Sequence, residues 1–195
     1  MIHFKQQTEK LLPYDRANYI DFLYDEPNIM PNWFGVSFQI SDSKRQTLNG
    51  FVKEYQSWFN DLLSYFKEKS LWIVNHDKTD LDWFPTSEDN LPDLRELFKK
   101  NKISNEFRGA VVFNFEDLYN VSKDIISYPY AVFNEKDFFY SNLDISNSEL
   151  PFIIKISDHL NIDLLSTNIE MLKNIVSNNN GDAFLIKEYR GTSIL

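Results

Sequence analysis

Between Leu48 and Phe66 the chain places Leu48, Phe51, Val52, Tyr55, Trp58, Phe59, Leu62, Leu63 and Phe66 at intervals of mostly three and four residues, with polar residues between them. That spacing puts the series on one stripe of an α-helix. A stripe with so many rings must be buried, so the rest of the chain has to supply a broad apolar surface opposite it. Ser43 and Gln46 have capping-box spacing at its start. Lys67 and Lys69 follow where the negative end of the helix dipole favours cations. The spacing predicts a core helix over about 44–69. Gly50 inside it costs roughly 1 kcal/mol relative to alanine, which burial of the stripe outweighs.

The remaining pattern supplies that surface as strands. Phe34, Val36, Phe38 and Ile40 alternate with smaller or polar residues, the period of a strand. Leu71–Val74, Ala110–Phe113, Phe152–Ile156, Ile162–Leu165 and Ala183–Ile186 are apolar runs bounded by turn formers. Tyr130–Phe133 and Phe138–Tyr140 read as short strands. Further helices are predicted over about 92–100, 116–126 and 167–178, the last opened by Thr167 and Glu170 at capping-box spacing. Pro13, Pro27 and Pro31 leave residues 1–32 irregular, apart from one short helix around 15–24. Strands close together in sequence, interspersed with helices, predict a single α+β domain over residues 1–195, with helices on one mainly antiparallel sheet.

Composition narrows the chemistry. The chain carries 17 Phe, 10 Tyr and 4 Trp but only 3 His, 5 Gly and no Cys. Without cysteine there is no disulfide, thiolate nucleophile or cysteine-held metal. The five glycines are too dispersed for a phosphate-cradling loop, and GxSxG and HExxH are absent. No cofactor is expected. A formal net charge of −9 repels phosphate backbones and anionic membranes and attracts basic partners. No basic groove accompanies the aromatics, so nucleic-acid binding is not expected. The start of the chain lacks the pattern of a signal peptide, and no apolar run reaches the ~18 residues that span a bilayer. The expectation is a cytoplasmic protein that engages neither membrane nor nucleic acid.

Three clusters could carry function. Residues 77–93 hold six acids and one lysine, and inside this acidic stretch lie Trp83 and Phe84. Their plain role is to anchor the loop in the core. Their functional role would be an exposed aromatic hot spot rimmed by Asp80, Asp82, Glu88 and Asp89, which suits a basic partner. His76, Asp77, Asp80 and Asp82 form the densest group able to hold a hard cation, although the spacing of a calcium loop is missing. Their alternative is a solvated acidic loop. Asp158-His159 has the composition of a catalytic pair but the setting of a turn.

Two blocks carry a resemblance. Trp33–Asp77 runs strand, long aromatic helix, apolar strand. Phe152–Arg190 runs strand, Asp-containing turn, strand, Thr-Asn-Ile-Glu helix start, Asn-rich turn and closing strand. Together they resemble an uncharacterised family of bacterial proteins classed as a domain of unknown function, some of whose members sit in toxin–immunity loci. The resemblance implies no catalytic residues. The expected function is non-catalytic recognition of a basic protein, of immunity type in its sharpest form. The alternatives are a carboxylate- or metal-dependent hydrolase and a structural or regulatory subunit.

Overall fold

The computed structural model describes residues 3–16, 32–40, 47–66, 70–86, 91–134, 136, 138–178, 184–189 and 191–195. Its strands are β1 (His3–Lys5), β2 (Phe34–Ile40), β3 (Trp72–His76), β4 (Ala110–Phe113), β5 (Leu143–Asn147), β6 (Phe152–Ser157), β7 (Asn161–Ser166) and β8 (Phe184–Glu188). Its helices are α1 (Leu48–Tyr65), α2 (Pro92–Lys100), α3 (Phe115–Asn120), α4 (Ser122–Ala131) and α5 (Ile169–Asn178), with one 3-10 turn at Thr8–Lys10. The strands form one sheet in the order β1-β4-β3-β5-β6-β7-β2-β8. Every neighbouring pair is antiparallel. The chain is α+β. Among the described residues no helix is long and apolar enough to cross a membrane.

The aromatic stripe of α1 meets the surface it requires. Phe51, Val52, Tyr55, Trp58, Phe59, Leu62 and Leu63 are buried. They join one cluster with Val36, Phe38, Trp72, Val74, Val111, Phe113, Leu143, Ile145, Phe152, Ile154, Ile156, Ile162 and Leu164 from one face of the sheet. Tyr55 keeps its hydroxyl in this core by donating to the Phe38 carbonyl at 2.7 Å, as a buried phenol must. The helix is shorter than 44–69. Thr47 is its N-cap and accepts from the Gly50 amide at 3.3 Å. Tyr65 ends it because Phe66 turns extended and packs its ring on Trp72 and Phe152. Ser43, Gln46, Lys67 and Lys69 lie outside the described residues.

Several other elements depart from expectation. The helix expected over 116–126 is two helices, broken at Val121. Asn114 caps the first by accepting from the Asp117 amide at 2.7 Å. Tyr130 and Ala131 are the last residues of α4, not strand, even though Pro129 lies within that helix. Packing of α4 on α1 outweighs the β-propensity of these residues. The segment after it contributes only the isolated bridge Phe133↔Phe139. Helix α2 has no capping side chain of its own, and Asp124 of α4 accepts from its Leu94 amide at 2.9 Å. Helix α5 starts after Asn168, whose side chain accepts from the Met171 amide at 3.1 Å, in place of the Thr167 cap expected. Strand β5 had no counterpart in the sequence pattern. The helix expected around 15–24 falls largely on residues outside the described set.

The second face of the sheet is buried as well. Strands β3, β5, β6 and β7 are buried at every residue. The cover comes from the N-terminal segment: Leu11 and Leu12 pack on Ile73, Ala110 and Val112. Tyr14, Leu12 and Trp33 pack with Ile153, Leu165 and Tyr189. Residues 1–32 are thus not merely irregular, since β1 pairs with β4 and the following residues strap across the sheet. Gly35 is a consequence of this cover. A Cβ there would lie 2.7 Å from Cγ of the Tyr189 ring. We predict that Gly35→Ala lowers stability by about 1–3 kcal/mol, the usual cost of overpacking. Urea unfolding checks this, and an unchanged midpoint would contradict the close packing of Tyr189 on β2.

Candidate functional site

The acidic loop folds inward. Trp83 is fully buried and Phe84 nearly so. The Trp83 indole donates to the Gly109 carbonyl at 2.9 Å and packs against His76, Phe98 and Tyr128. The Phe84 ring packs on Phe98 and carries the Arg95 guanidinium 4.2 Å above its centre. These two rings are loop anchors, and the exposed hot spot expected from their acidic surroundings is not formed by them. The backbone explains why: Trp83 and Phe84 donate to the Phe107 and Asn105 carbonyls, which ties the loop to the core. Glu88 and Asp89 lie outside the described residues.

The four candidate metal ligands are committed separately. His76 is buried and accepts at Nδ1 from the Leu81 amide (3.4 Å). Its Nε2 therefore carries the proton and donates to the Tyr128 hydroxyl at 2.8 Å. Tyr128 in turn donates to the Trp83 carbonyl at 2.7 Å. Burial, and then the Arg16 charge, lower the His76 pKa to about 3, so the ring is neutral. Asp77 accepts from Ser141 and Asn142 at 3.2 Å and lies 3.6 Å from Lys155 Nζ. Asp80 accepts from Thr8 at 2.9 Å and pairs with Arg16 at 3.0 Å. Asp82 forms a two-point pair with Arg108, at 2.6 and 3.0 Å, which holds its carboxyl below the usual range. Among the described residues no group of three or more His, Cys, Asp or Glu side chains converges as a metal site requires. Asp158 and His159 sit in the β6–β7 turn, with 3.6 Å between Oδ1 and Nε2 and the imidazole exposed.

Exposed aromatics gather elsewhere, in the turn after α4. Phe138, Phe139 and Phe133 are 66%, 51% and 37% exposed, far more than any ring of the acidic loop. The turn is well made. Asn134 donates its amide to the Phe138 carbonyl at 3.0 Å, and its side chain accepts from the Lys136 and Phe138 amides. Tyr140 closes it by donating its amide to the Val132 carbonyl at 3.1 Å. Phe133 and Phe139 pack ring on ring at 5.3 Å. Tyr140 also joins this turn to the acidic loop. Its ring stands edge-on to His76 at 6.0 Å, and burial together with the Asp82 charge raises its phenol. The exposed rings Phe133, Phe138 and Phe139 had not been singled out in the sequence.

A second cluster had no sequence signal at all. On the strap-covered face, five strands contribute one polar row: Asn75, Asp144, Lys155, Asp163 and Ser37 lie opposite one another in register. All five are buried. Asp163 is held by Asn161 (2.6 Å) and Tyr189 (3.0 Å). Asp144 accepts from the Tyr14 hydroxyl at 2.7 Å. One lysine thus stands among the carboxylates Asp77, Asp144 and Asp163. Burial raises Asp163, and it raises Asp144 to about 7 against the partial offset of Lys155, Tyr14 and Arg16. Such groups are found at active sites, where burial moves titration toward neutrality. Here the row is buried, and its polar groups bond to Tyr14, Asn161, Tyr189 and the His76 carbonyl around it.

No protein-family model, no curated protein and no solved structure matches this chain.

The raised Asp144 sets a direction for stability. A carboxyl whose folded pKa is raised contributes stability fully below its unfolded value, near 4, and loses it as pH rises to about 7. His76 acts oppositely over part of that range, because its folded pKa is depressed. The difference between wild type and Asp144→Asn isolates the carboxyl. We predict that the variant gains on wild type steadily from pH 4 to pH 7, by a few kcal/mol in all, since each tenfold change in proton affinity is worth about 1.4 kcal/mol. Urea midpoints measured across this range check it, and a constant difference would contradict the assignment.

Proposed function

We propose that the protein is a non-catalytic recognition protein that binds a basic protein partner through the exposed rings Phe133, Phe138 and Phe139 of the turn after α4. The observation that carries this is the exposure of Phe133, Phe138 and Phe139 on one tightly hydrogen-bonded turn. Aromatic side chains have few rotatable bonds and lose little freedom on binding, which suits them to interface hot spots. Charge complementarity argues for a basic partner. The chain carries −9 overall, a charge whose field attracts basic partners. The sharper form, an immunity-type protein that blocks a basic toxin domain, rests on the resemblance of the Trp33–Asp77 and Phe152–Arg190 blocks.

The test is capture from the native host with tagged protein at low and high salt. The expected result is a basic protein that is released by salt, as steering by charge requires. The double substitution Phe138→Ser and Phe139→Ser should abolish its capture while leaving the unfolding midpoint within about 0.5 kcal/mol, as for other surface changes. Capture undiminished by the double substitution would refute the site. Failure to capture any basic protein at low salt would refute the reading.

A further inference from the structure

The strap-covered row contains an imbalance that its register makes plain. Asn75 and Asp144 are directly opposed on β3 and β5, facing the N-terminal segment. The Asn75 amide nitrogen donates to the His76 carbonyl at 2.8 Å, which fixes the amide so that Oδ1 is the other end. Among the described residues that Oδ1 has no hydrogen-bond partner, and neither has Oδ1 of Asp144, nor Oγ of Ser146 two residues along β5. Directly opposed cross-strand side chains lie within about 5 Å of one another at Cβ. Two buried oxygens that both only accept cannot satisfy each other. One proton on Asp144 turns its Oδ1 into a donor and removes the conflict.

The charges around Asp144 point the same way. Facing it are Tyr14 and Arg16 from the strap, Asp77 beyond β3, and Lys155 of β6, with Asp163 of β7 one strand further. Lys155 lies 3.6 Å from Asp77 and is shared among three acids. Lys155, Tyr14 and Arg16 offset part of the burial, and the carboxyl is still raised to about 7. Among the described residues, the cover is held in part by polar contacts. Asp80 receives Thr8 and Arg16, Arg16 also donates to the His76 carbonyl at 2.5 Å, and Tyr14 donates to Asp144. Its apolar hold is Leu11, Leu12 and Tyr14.

We propose that residues 8–16 form a proton-latched strap, closed over the sheet while Asp144 is protonated and lifted when Asp144 ionises. Lifting lets water reach the carboxylate, so the open form binds the proton less tightly than the closed form. By linkage, raising the pH must favour opening, and the effect is confined to the interval between an ordinary aspartate and about 7. Opening exposes the polar row, Lys155 included, without disturbing the helix side of the sheet.

Hydrogen exchange by mass spectrometry, corrected for the chemical exchange rate, tests the proposal at pH 5 and pH 8. In the wild type, protection of the peptide covering 8–16 should fall roughly tenfold or more between the two, while β6 and β7 keep theirs. In Asp144→Asn it should not fall. Equal strap protection at both pH values in the wild type, or an undiminished fall in the variant, would overturn the proposal. If the variant does not fold, the wild-type profile decides alone. A fall that levels off above pH 7 supports the latch, and one that continues to pH 9 or extends to β6 and β7 overturns it.

Discussion

An antiparallel sheet ordinarily keeps one face for water, and that face takes the polar half of each strand's alternation. Here the long aromatic helix claims one face, and the N-terminal strap claims the other. The polar residues of the second face have nowhere to go. The sheet register lines them up across five strands, so that Asn75, Asp144, Lys155, Asp163 and Ser37 must satisfy one another in the dry. Tyr14, Asn161 and Tyr189 are recruited from outside the row to complete the bonding. Gly35 is bare because Tyr189 must lie flat on β2 to reach Asp163. Buried ion pairs of this kind seldom add net stability, but removing one partner leaves an uncompensated charge. The row therefore constrains the fold more than it strengthens it.

The same constraint explains what could be read from the sequence. Helices α1 and α2, and strands β2, β4, β6 and β7, were legible because their inner residues are apolar and the periodicity is local. Strand β5 was not, because Asp144, Ser146 and Asn147 look like turn formers unless both faces are known to be buried. The strap was hidden for a related reason: its cover consists of Leu11, Leu12 and Tyr14 among prolines, with no period to detect. The polar row itself depends on register, and register is a property of pairs of strands. Trp83 and Phe84 stood out in sequence because loop anchors have no period. Their surroundings suggested exposure, while the contacts that bury them come from Phe98, Tyr128 and the 105–109 backbone.

Function follows from where the molecule spends its groups. The acids of the 77–82 loop are used internally, with Asp77 against Lys155, Asp80 against the strap and Asp82 against Arg108. Among the described residues, the turn after α4 holds exposed rings at Phe133, Phe138 and Phe139. Those exposed rings and the net charge of −9 are the basis for the proposal that the protein binds a basic partner.

The central claim, central strands covered on both faces with a charged row inside, is tested most directly by lysine labelling. Lys155 is 1% exposed, whereas Lys78 and Lys187 lie on the surface. Brief treatment of the folded protein at pH 6, where Asp144 is still mostly protonated, with an amine-acetylating reagent, followed by peptide mass spectrometry, reports each site. The account predicts that Lys155 stays unmodified while Lys78 and Lys187 are acetylated, and that denaturant makes all three react alike. Acetylation of Lys155 in the folded protein at the rate of Lys78 and Lys187 would contradict it.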